Sequence, residues 1–176
     1  MVANAGNMID LQQMKEEGIS EEEWKKTTMA MSNGKVVNFF TGSLVIDGQN
    51  QPSQSLTLKR GVARFDLNVD VAGSAAIESL TLKNVAQSGY LFAQGEVAAS
   101  PADVERNDVT AHFDTALSAS TPGVLYVYEQ ENAGIEVSIE AVIDGQHKVL
   151  TKTLEGNLKR NTIYTVTVRK NDIDIV

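Results

Sequence analysis

The side chains with the greatest chemical potential in this chain are two histidines, three consecutive glutamates, a C-terminal pair of aspartates and a scatter of serines. His112 and His147 each lack a neighbouring cysteine, a nearby second histidine and the H-E-x-x-H spacing, so a zinc-ligand or general-base role has nothing to work with. Both fit surface or strand-edge positions. Glu21-Glu22-Glu23 could suggest calcium, but successive helical carboxylates point in different directions and do not converge on one ion. Asp172-Ile173-Asp174 puts two carboxylates on one strand face without the glycine and distal glutamate of a calcium loop, so a solvated terminal face is expected. The serines show no G-x-S-x-G elbow, and Gly61 and Gly73 do not form a phosphate-cradling loop. Cysteine is absent, which removes disulfides, thiol catalysis and thiolate metal sites together. These patterns predict no catalytic residue, no cofactor and no metal: the chain reads as a non-enzyme.

Recognition chemistry is better represented. Trp24, Tyr90, Tyr126 and Tyr128 could stack on a glycan or dock a peptide. Alternation places Tyr126 and Tyr128 on one face, opposite Leu125 and Val127, so that face is either an outward partner-binding surface or the floor of a second layer. Lys59-Arg60 and Lys159-Arg160 sit at strand entrances and read as ordinary flanking charges that blunt sheet edges.

The elements that must carry these residues change character along the chain. Ser20-Glu21-Glu22-Glu23 is a capping box, in which the Ser20 hydroxyl accepts from the Glu23 amide and the Glu23 carboxylate from the Ser20 amide. The three acidic residues also complement the positive end of the helix dipole. Short helices are predicted over about Ser20–Thr28 and Ile9–Glu16, making residues 1–38 a helix-containing segment. From residue 39 to 176 the apolar period is two. Phe65, Leu67, Val69 and Val71 alternate with Arg64, Asp66, Asn68 and Asp70, and the pattern recurs over Ile135–Ile143 and Tyr164–Val168. Shorter strands are predicted at Leu44–Ile46, Leu56–Leu58, Ile77–Leu82, Val109–Phe113, Val124–Tyr128 and Lys148–Leu154, with a loop over Ala93–Val104. Asp144-Gly145 and, less tightly, Asp47-Gly48 are hairpin signals. Many one-sided strands without intervening helices predict two packed antiparallel sheets in one domain spanning residues 1–176.

Composition agrees. Hydrophobic residues at 42% against 22% charged residues indicate a globular chain with a real core. A net charge of −8, with its basic residues scattered, argues against nucleic acid as a partner. No apolar run approaches the ~20 residues of a membrane-spanning helix, and the N-terminus lacks the basic and apolar regions of a signal peptide.

Three stretches carry a resemblance. Leu56–Val69, reading LTLKRGVARFDLNV, resembles the L-x-R-x-V-A-[KR]-[FIV]-x-[LV]-x-[VI] strand of Bacteroidales fimbrillin-like proteins, the subunits of type V pili. Ile77–Val85 is similar to the strand that follows it there, and Leu158–Val168 (LKRNTIYTVTV) resembles the strand closing the N-terminal domain of those subunits. Val2–Gly6 and Met29–Gly34 are similar in kind. The resemblance implies a transthyretin-like β-sandwich and a structural or adhesion subunit of a cell-surface fimbria, or a fimbria-associated lipoprotein of the outer membrane. It also implies pilin partners, or self, joined by donor-strand exchange, with a host protein or glycan as a further partner. Relative to that family, a lipobox cysteine, a leader and a first strand are missing ahead of Val2, so an open groove or an unpaired sheet edge is expected. A surface carbohydrate- or protein-binding sandwich that does not polymerise is the alternative.

Overall fold

The computed structural model describes residues 1–5, 9–45 and 54–176. The Asp47-Gly48 hairpin and Ile46 lie outside the described residues. Two four-stranded sheets dominate. The first has the order β11-β10-β6-β8, from β6 (Ala75–Ala86), β8 (Arg106–Leu117), β10 (Glu136–Ile143) and β11 (Gln146–Thr153). The second has the order β13-β12-β5-β9, from β5 (Val62–Val69), β9 (Thr121–Tyr128), β12 (Ile163–Val168) and β13 (Ile173–Ile175). Their inner faces share one core. Ile77, Leu80 and Leu82 of β6 and Val137, Ile139 and Ala141 of β10 pack with Phe65 and Leu67 of β5, Val127 of β9 and Val166 and Val168 of β12. This is a β-sandwich whose strands follow the alternation read in the sequence.

Two turns show the local chemistry. Asp144 and Gly145 take φ of 51° and 78°, the positive values of a type I′ hairpin, and Ile143 pairs with Gln146 across them. Asp144 does more than turn the chain: its carboxylate accepts from the Ser74 amide and pairs with Lys170 at 2.6 Å. Inside the fold, the fully buried Gln130 side chain accepts from the Ala86 amide and donates to the Tyr128 carbonyl, so its burial leaves no polar atom stranded.

The expectation of wholly antiparallel sheets requires correction. β5 and β12 run parallel, in register from Ile163 opposite Arg64 to Val168 opposite Val69, while the other strand pairs are antiparallel. Alternation fixes which face a side chain takes but not the direction of the neighbouring strand. Residues 1–38 hold α1 (Leu11–Glu16) and α2 (Glu21–Lys25), the latter with its capping box complete, and also β1 (Val2–Ala3) and β2 (Thr28–Ala30). Strand β2 pairs with β7 (Ser88–Tyr90), and β1 joins β3 (Phe40–Thr41) and β4 (Lys59–Arg60) in a small third sheet. Leu44–Val45 and Leu56–Leu58 are not strands, and Val45 is exposed.

These N-terminal pieces form a second layer. Met29, Phe39, Leu91 and Phe92 pack with Val62 and Tyr128, the outward-facing residues of β5 and β9, in a separate small core. Close approach depends on glycine here: a Cβ on Gly61 would sit 2.1 Å from the Phe39 ring, and one on Gly89 2.5 Å from Tyr128 Cβ.

Candidate functional site: an open seam between two edge strands

The sandwich has two long sides where the sheets meet edge to edge, and they differ. On one side β11 and β13 are laced together. Lys152 Nζ pairs with Asp174 Oδ1 at 2.5 Å, and Lys148 Nζ donates to the Lys170 carbonyl and Asn171 Oδ1, both at 2.8 Å. Hydrogen bonding from Lys152, seconded by the Ile175 amide, holds the Asp174 carboxyl below its ordinary value. Next to it the Tyr164 ring stacks on Phe65, with centroids 5.3 Å apart.

The other side is open. Strand β8 pairs only with β6, and β9 only with β5, among the described residues. Between their free edges lies a cleft of about 610 Å³. Val109, Ala111 and Phe113 of β8 and Val124 and Leu125 of β9 give it apolar lining, Asp108, Thr110, His112 and Tyr126 give it polar lining, and Asn33, Gly34, Lys35, Val36 and Asn38 form a further wall. Val109 and Leu125 are buried, whereas Ala111, Phe113 and Val124 are half-buried. A row of half-buried apolar side chains beside an unpaired strand is the surface that an added strand covers.

The residues singled out in the sequence are placed as follows. Tyr126 and Tyr128 do share a face opposite Leu125 and Val127, but only Tyr126, half-buried, reaches the cleft. Tyr128 is 0% exposed, so its assignment to a partner-binding surface is corrected. Its hydroxyl accepts from the Val37 amide at 3.0 Å and donates to the Ala30 carbonyl at 3.1 Å, which ties the second layer to the sandwich. Burial raises the Tyr128 phenol above its usual range, opposed by the Val37 hydrogen bond. Tyr90 and Trp24 are half-buried, and the Trp24 ring meets Phe92 edge-on at 4.7 Å. His112 is exposed on β8 at the cleft, while His147 is exposed at the start of β11 with Nδ1 3.8 Å from a Glu78 oxygen. Glu23 caps α2, and Glu21 pairs with Lys25 at 2.5 Å. Among the described residues no group of three His, Asp or Glu side chains converges as metal ligands would.

Arg160 also departs from the sequence reading. It is not a solvated flanking charge: its side chain is 8% exposed and pairs with Glu129, 12% exposed, at 2.6 Å. Its two terminal nitrogens donate to the Leu91 and Tyr90 carbonyls at 3.0 and 2.9 Å. Nothing local in Lys159-Arg160 reveals this, because the acceptors lie about seventy positions away. Arg60, by contrast, lies over the Phe40 ring with its guanidinium carbon 5.6 Å from the centroid.

Fold and seam together define an open β-sandwich. The chain is similar in structure to a candidate cell adhesion protein from Parabacteroides distasonis, with a TM-score of 0.61 and 15% identity over 98% of this chain and 67% of that one. It is also similar to a candidate cell adhesion protein from Bacteroides eggerthii, with a TM-score of 0.58 and 12% identity over 97% and 67%. The tip fimbrial protein Mfa3 from Porphyromonas gingivalis, with C-terminal truncation, aligns at a TM-score of 0.58 and 15% identity over 99% and 76%. The chain thus spans about two thirds of the length of the two adhesion proteins. No protein-family model matches the sequence, and no curated protein matches it significantly. No helix among the described residues is long and apolar enough to cross a membrane.

Proposed function

We propose that this chain is a structural or adhesion subunit of a cell-surface fimbria, or a fimbria-associated surface protein, that joins its neighbours by strand pairing. The observation that carries this reading is the asymmetry of the sandwich: one side laced by lysines, the other a cleft of mixed polar and apolar lining between two edges unpaired among the described residues. Structural likeness to adhesion proteins and to a fimbrial tip protein supports it. In its full form the proposal is a transthyretin-like pilin sandwich, exported to the outer membrane as a lipoprotein, whose cleft receives a donor strand from another subunit. It requires no cofactor and no catalytic group. The alternative of a non-polymerising carbohydrate-binding module draws less support, since Tyr128 is buried and Trp24 and Phe92 are committed to each other.

Sedimentation velocity over a concentration series tests the reading. Concentration-dependent oligomers should form and be abolished by Ala111→Lys, because an inward-pointing charge on an edge strand disfavours pairing. Circular dichroism checks that the variant is folded. Association unchanged in a folded Ala111→Lys protein would remove the seam from the mechanism, and a chain that stays monomeric throughout would count against self-pairing.

A further inference from the structure

The small sheet β1-β3-β4 sorts its residues by face. Thr41 of β3 stands opposite Lys59 of β4, and Phe40 opposite Arg60, so one face carries the threonine and the lysine and the other the aromatic ring and the guanidinium. The alternation runs on beyond the strand ends. Ser43, Ser55 and Thr57, each an even number of residues from Thr41 or Lys59, join them in lining a cleft of about 440 Å³. Leu56 and Leu58 take the opposite face, where a Cβ on Gly42 would meet them at 3.2 and 3.1 Å. Ser43, Ser55, Thr57 and Lys59 are exposed, whereas Leu56, Leu58 and Arg60 are half-buried. This cleft shares no lining residue with the seam.

Hydroxyls and cations make up the polar lining. No carboxylate lines the cleft among the described residues, in a chain of net charge −8. Lys59 forms no ion pair among the described residues. Arg160 contributes donors rather than net charge. Glu129 balances it, and its bonds to Glu129, Leu91 and Tyr90 use three of the five guanidinium N–H groups, leaving two at the cleft it lines. Thr41 is 6% exposed, and no described residue gives its hydroxyl a hydrogen bond. A polar group at that depth takes its partner from whatever fills the cleft.

Two cations without a lining carboxylate disfavour metal ions and attract oxyanions. The donors are strung out rather than gathered round one point: Ser55 to Lys59 covers up to about 14 Å of extended chain at ~3.4 Å per residue. That row is longer than a bare sulfate or phosphate, and no aromatic ring lines the cleft to stack a nucleobase. It suits a ligand with many hydroxyls and one anionic group. We propose that this cleft binds an acidic saccharide, a sugar bearing a carboxylate or sulfate, with the oxyanion against Lys59 and Arg160 and the sugar hydroxyls against Thr41, Ser43, Ser55 and Thr57. Its volume falls within the roughly 300–1,000 Å³ of small-ligand sites. Recognition here works through charge and hydrogen bonds, not ring stacking, and stands whether or not the seam pairs.

Titration of the isotope-labelled protein, read by amide chemical shifts at constant ionic strength, tests the site. The probes are methyl glucuronide, glucose sulfate, methyl glucoside, sodium sulfate and a glutamate blocked at both ends, the last standing for an acidic peptide. Both acidic sugars should move the Thr41, Lys59 and Arg160 amides and bind at least about fivefold more tightly than the other three probes. Lys59→Gln should weaken the acidic sugars about two- to fivefold, the range of an exposed ion pair, and leave methyl glucoside unchanged, while Lys59→Arg should retain most of the affinity. Thr41→Val, which removes only the hydroxyl, should weaken all three sugars in a protein whose other amide shifts show it folded. A neutral glycoside bound as tightly as the acidic ones, an affinity that ignores Lys59→Gln, or no shift at these amides overturns the proposal. Sulfate bound as tightly as glucose sulfate marks an adventitious ion only, and blocked glutamate bound as tightly marks a peptide site; either result overturns it too. The strand-docking reading is untouched by all of these outcomes, since sedimentation of the Ala111→Lys protein tests it separately.

Discussion

Replacing Arg160 with leucine is the most demanding test of how the second layer is held. The Arg160 guanidinium makes the 2.6 Å ion pair with Glu129 and donates to the Leu91 and Tyr90 carbonyls, with both charged side chains about nine-tenths buried. Arg160→Leu removes all three contacts and leaves the Glu129 carboxylate without its cation in a site largely closed to water. Breaking one member of a buried pair costs about 3–5 kcal/mol, most of it the penalty for the abandoned charge. The double variant Arg160→Leu/Glu129→Leu removes that charge too and should recover much of the loss, which a double-mutant cycle isolates. Urea unfolding followed by fluorescence is the assay, because Trp24 is the only tryptophan and stacks edge-on against Phe92, next to the clamped Leu91. With a urea slope of about 2 kcal/mol per molar, the single variant should lower the midpoint by roughly 1.5–2.5 M. A loss below about 1 kcal/mol for Arg160→Leu, or a double variant no more stable than the single, would refute the reasoning.

Three further outcomes follow from the same geometry. Gly61→Ala should destabilise by about 1–3 kcal/mol, since its Cβ meets the Phe39 ring at 2.1 Å; Phe39→Leu in the same background should restore part of the loss, as chemical denaturation would show. Tyr128→Phe strands the Val37 amide and the Ala30 carbonyl and should cost about 1–3 kcal/mol, read by the same unfolding curves. Asp144 and Asp174 both titrate below their ordinary value of 3.8, held down first by side-chain hydrogen bonds to Lys170 and Lys152 respectively. A lowered folded pKa means stability that is complete above the unfolded value and lost as pH falls through the folded one. Amide exchange in β11 and β13 should therefore rise on acidification below about pH 4, and Lys152→Met should flatten the response in β13.

The parts of this fold legible in the sequence are those where one strand is long enough to show its own period. Phe65, Leu67 and Val69 against Arg64, Asp66 and Asn68 mark β5 because side chains alternate between core and outer face over eight residues. The capping box at Ser20 and the hairpin at Asp144-Gly145 are legible for a similar reason: their chemistry is complete within four residues or fewer. Strands of two or three residues, such as Val2–Ala3, Phe40–Thr41 and Ile173–Ile175, carry too few positions to display alternation. They exist because a neighbour offers a partner edge.

The candidate site belongs mostly to this second kind. The sequence predicts a short strand over Val109–Phe113 without saying which face is covered, and alternation puts Tyr126 and Tyr128 on a common face. What covers each row was not legible, because covering is decided by strand order and by segments far along the chain. Tyr128 is buried by Met29 and Phe39, about ninety to a hundred positions earlier, whereas no described strand lies beside the outer edge of β8. Two rows of the same local pattern therefore meet opposite fates: one becomes the floor of an internal layer, the other the floor of an open cleft. The lysines sharpen the distinction. Lys148 and Lys152 act at the side where the sheets are sewn together, and Lys35, without an ion pair among the described residues, lines the side where they are not. That placement gives the sandwich two unlike sides, one laced by charged contacts and one open.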